Sequence, residues 1–73
     1  MNITMELIVD QIDYSIEQAE SFAKKEITSE EFIKVVDDLK ALLRKGIRAG
    51  LRCNESRIQQ KFARFEQIVK PLM

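Results

Sequence analysis

Five carboxylates, Glu6, Asp10, Asp13, Glu17 and Glu20, recur at steps of three and four residues near the start of the chain. On an α-helix that spacing puts all five on one face, roughly 5 Å apart along the axis. The row lacks lysine and arginine, whereas surface helices usually mix signs. Such a row attracts polycations and speeds their encounter. It reads as a dock for a basic protein, or as a mimic of a nucleic-acid backbone that blocks a nucleic-acid-binding partner. The plain alternative is a solvated helix face.

Basic residues gather in the other half. Residues 1–43 hold ten acids and four bases, residues 44–73 two acids and eight bases, and the net charge is zero. Arg48, Arg52, Arg57, Lys61 and Arg64, with Arg44, form short rows at helical spacing, and arginine suits bidentate contact with phosphate or carboxylate. Nucleic-acid binding through these five is the second reading. Against it stand the acidic half, which repels phosphate, and the lack of a helix-turn-helix glycine turn, a zinc ligand set or an aromatic stacking motif. The plain alternative is that the basic surface faces the acidic row, within one chain or across a dimer.

Catalysis finds little to work with. The sequence holds one cysteine and no histidine. That excludes the usual zinc sets, an internal disulfide and the commonest neutral-pH base. Cys53 stands beside Arg52 but has no base partner, so it reads as an incidental or packed thiol. No phosphate-cradling glycine loop or dinucleotide fingerprint appears. The expectation is a protein without enzymatic activity, metal, cofactor or small-molecule substrate.

The elements that hold these side chains read as helices. With two glycines and one proline, the chain is poor in turn residues. Met5, Ile8, Val9, Ile12, Ile16, Ala19 and Ala23 form an apolar stripe opposite the carboxylates and predict a first helix over about 4–25. Ile3, Leu7 and Tyr14 form a minor apolar ridge away from that stripe, and Phe22 lies at its opposite margin. The ridge is either a partner contact or buried between neighbours.

Thr28-Ser29-Glu30-Glu31 predicts a capping box, with Thr28 as N-cap and Glu31 as its partner, and Ile27 with Phe32 completes a hydrophobic staple. Phe32, Val35, Val36, Leu39, Leu42, Leu43 and Ile47 make the inner face of a second helix over about 29–52, flanked by Ile33 and Leu51. Gly46 and Gly50 fall on that face, where they would admit a close neighbour. Ser56 with Gln59 suggests a second capping box, Asn54 being an alternative cap. A third helix over about 56–70 carries Ile58, Phe62, Phe65, Ile68 and Val69 inward and ends at Pro71.

The expected fold is all-α: one domain over 1–73, built as a small three-helix bundle. The alternative is a hairpin whose second helix runs on from 29 to 70 and forces dimerisation. A chain this short gains stability from any partner it can bury against. No run is apolar enough to span a membrane, and no export signal or lipidation motif is visible, so the expected setting is the cytoplasm. The best functional expectation is a non-catalytic protein-binding module, a small regulator, inhibitor or co-chaperone, whose partner is another protein or a second copy of itself.

Overall fold

The structure, a computed structural model, describes residues 3–72. Three helices follow one another: α1 (Met5–Ala23), α2 (Ser29–Arg48) and α3 (Ser56–Val69), the last closed by a single 3₁₀ turn over Lys70–Leu72. The described residues contain no strand, and the arrangement is the small three-helix bundle expected from the sequence. Helix α1 is the central element, with both other helices packed along it. Its first half meets the end of α2 and the start of α3, and its second half meets the start of α2 and the end of α3. The bundle therefore runs up, down, up.

Each helix starts where local chemistry lets it. Thr4 caps α1 by accepting the Leu7 backbone N–H at 3.2 Å. At α2 the capping box forms in full. The Glu31 N–H donates to Thr28 Oγ1 at 3.1 Å, and the Thr28 N–H donates to Glu31 Oε1 at 3.0 Å. Two otherwise unpaired donors are thus satisfied reciprocally. Ile27 packs into the cluster that contains Phe32, so the staple is present too. The expected box at α3 does not form. Glu55 is the N-cap without a side-chain cap bond, and Ser56 lies inside the first turn. The α3 helix leans instead on its burial against α1.

The helix ends differ from the periodicity reading. The first helix stops at Ala23 and the second at Arg48, short of 25 and 52. Both finish in a Schellman turn, whose two 6→1 and 5→2 bonds satisfy orphan carbonyls. After α1, Glu26 N–H donates to Ser21 O at 2.8 Å and Lys25 N–H to Phe22 O at 3.0 Å. After α2, Leu51 N–H donates to Gly46 O and Gly50 N–H to Ile47 O, each at 3.0 Å. The motif needs a left-handed residue. Gly50 supplies it with φ 83°, and Lys25 supplies it with φ 62°. No atom lies within 4 Å of where a Gly50 Cβ would sit, so this glycine serves its backbone angle and not a close approach. The turn tucks Leu51 back onto the core and lets α3 return along α1. That reversal rules out the continuous 29–70 helix.

The two glycines therefore do different work. At Gly46 a Cβ would come 2.6 Å from Ile8 Cδ1, 3.5 Å from Cys53 Sγ and 3.6 Å from Leu51 Cδ1. This is the tight internal crossing of α1 and α2, and Cys53 is part of its packing. Ile8, Ile12, Leu39 and Ile58 form the buried core at this end. At the other end Ala19, Phe32 and Val69 are buried beneath half-covered Phe22, Val36, Phe65 and Ile68.

Some side chains face other ways than their spacing predicts. Ile47 is 62% exposed and Ala23 is exposed, although both were expected inside. In the last turn of α2 the inward position against Ile8, Leu51 and Cys53 is taken by Gly46, and Ile47, the next residue, is turned outward. Ser15 is fully buried between Ile12 and Ala19 on the inner stripe. Its hydroxyl donates to Gln11 O at 2.8 Å, which removes the cost of burying it. Its position fits the stripe, but its polar type conceals it from a search for apolar residues.

Candidate functional sites

The carboxylate row lies on the side of α1 turned away from the core. Glu6, Asp10, Glu17 and Glu20 are exposed, and Asp13 is half-buried. Asp13 is the member that has a partner: Lys61 Nζ of α3 donates to its Oδ1 at 2.6 Å. The two side chains are 48% and 32% exposed. Water therefore screens the pair, which contributes about 0–1 kcal/mol and mainly fixes α3 against α1. The other four carboxylates have no basic group within 4 Å among the described residues.

The minor ridge splits. Ile3 packs half-buried against the core, so it belongs to the fold. Leu7 and Tyr14 remain 37% and 47% exposed. They sit seven residues apart on one edge of the helix, with Asp10 between them and Glu17 one turn beyond Tyr14. The result is a patch in which an aromatic ring and a leucine stand beside two unpaired carboxylates.

The basic residues do not form one surface. Arg48 closes α2, and Arg52 lies beyond the helix end, so Arg44, Arg48 and Arg52 do not make a continuous row on one helix. Arg57 Nε lies 3.5 Å from Glu55 Oε2 in an exposed local pair. Lys61 is held by Asp13. Arg64 is exposed on α3. Two of the five candidate phosphate contacts are thus already shared with carboxylates.

A third surface was not legible in the sequence. Helices α2 and α3 pack on α1 more than on each other, and over the second half of α1 they leave an open cleft of about 510 Å³. Phe22, Phe32 and Phe65 line it, with Ile33, Val36 and Leu72 at its edges and Asp37 and Lys40 on its rim. The rings stack in a row, Phe22 on Phe32 at 4.8 Å between centroids and Phe32 near Phe65 at 6.2 Å. Stacked rings hold the floor of the cleft without closing its mouth. The spacing marked Phe32 and Phe65 as inward, but only the placement of α2 and α3 on α1 leaves space over them.

Comparison with family models, curated proteins and solved structures finds no significant match. The functional reading rests on the three surfaces just described. None of the described helices is long and apolar enough to cross a membrane.

Proposed function

We propose that this chain is a non-catalytic protein-binding module, a small regulator, inhibitor or co-chaperone, whose outer α1 face docks on a basic surface of another protein. The observation that carries the reading is the patch on α1: Asp10 and Glu17, without ion-pair partners among the described residues, flank the exposed ring of Tyr14 and the exposed side chain of Leu7. A row of one sign steers encounter with an oppositely charged surface. A ring with a polar tip beside it is the type of side chain that anchors a complex once formed. The lone thiol, Cys53, favours a reducing cytoplasm as the setting.

The test is a pull-down from the native host with three proteins. These are the wild-type chain, Asp10→Lys/Glu17→Lys, and Arg57→Glu/Arg64→Glu. Asp13 is left unaltered because a lysine there would face Lys61 and weaken the fold itself. The expected outcome is loss of a salt-sensitive protein partner in the α1 variant alone. Exposed substitutions of this kind change stability by no more than about 0.5 kcal/mol, so both variants should melt close to wild type. A partner retained by the α1 variant overturns the proposal. So does a steeply salt-dependent gel shift with DNA or RNA that the arginine variant abolishes, which would favour the nucleic-acid reading.

A further inference from the structure

We draw no further inference here: the strongest candidate, the open cleft that α2 and α3 leave over Phe22, Phe32 and Phe65, carries none because nothing in the structure shows what covers it.

Discussion

The two ends of the bundle are built from the same three helices but packed by different means. At one end Ile8, Ile12, Leu39 and Ile58 close on each other, and Gly46 lets α1 and α2 approach until Ile8 fills the space a side chain would need. At the other end the contacts are aromatic, Phe22 and Phe65 lie half-covered around a buried Phe32, and α2 and α3 stand apart over them. Branched aliphatic chains around a glycine interlock at interior density. Large flat rings between helices that touch each other little keep their mutual contacts but leave a mouth. The closed end holds the fold, and the open end offers surface.

That contrast is sharpest in the core. Ile8→Ala removes a fully buried side chain from the end that cannot collapse, and the expected loss is about 2–5 kcal/mol. Phe65→Leu, at the open end, should cost nearer 1 kcal/mol, because it gives up a ring contact but leaves no sealed cavity. Urea unfolding of the two variants measures both. Equal losses would mean that the cleft end is packed as tightly as the other, and the distinction would fail.

The two Schellman turns offer a smaller effect of opposite sign. Gly50 at the closed end has the residue its left-handed backbone favours, and Lys25 at the open end does not. Gly50→Ala should destabilise by about 1 kcal/mol, and Lys25→Gly should stabilise by up to about 1 kcal/mol. Thermal melts of both variants read the difference directly. A destabilised Lys25→Gly would show that the lysine side chain contributes more than its backbone angle costs.

The smallest expected effect concerns pH and belongs to the open end alone. The Glu31 carboxyl lies below its ordinary pKa because it accepts the Thr28 backbone N–H, with the Thr28 hydroxyl interaction adding to the shift. A depressed carboxyl pKa contributes stability that is fully present above the unfolded value and is lost as pH falls through the folded one. Melting temperature should therefore decline on that acid limb. Glu31→Gln retains the acceptor and removes this titration, so its decline should be shallower. Parallel curves for the two proteins would leave the cap without a role in acid stability.

Local signals were the most legible. The capping box at Thr28 and Glu31 is complete within four consecutive residues, and it forms as its spacing predicts. The inner stripes were read from periodicity at Ile8, Ile12, Ala19, Phe32, Val35, Leu39, Ile58 and Val69, all buried. Less legible was the end of α2. The spacing of Ile47 and Gly50 continues the helix, yet Gly50 turns left-handed and Ile47 faces outward. Periodicity records which face a residue would occupy if the helix continued, and it carries no information about where the chain must turn back.

The sequence by itself determined the helical class, the start of α2, the inner faces and the one-sign row on α1, because each depends on residues within a few turns of one another. The tertiary structure decided the rest. It joined Asp13 to Lys61 across 48 positions, separated the roles of the two glycines, and opened a cleft over three phenylalanines. Those outcomes depend on how the helices pack on one another and where the chain reverses. Such distances are set by packing between elements and not by the order of residues within any one of them.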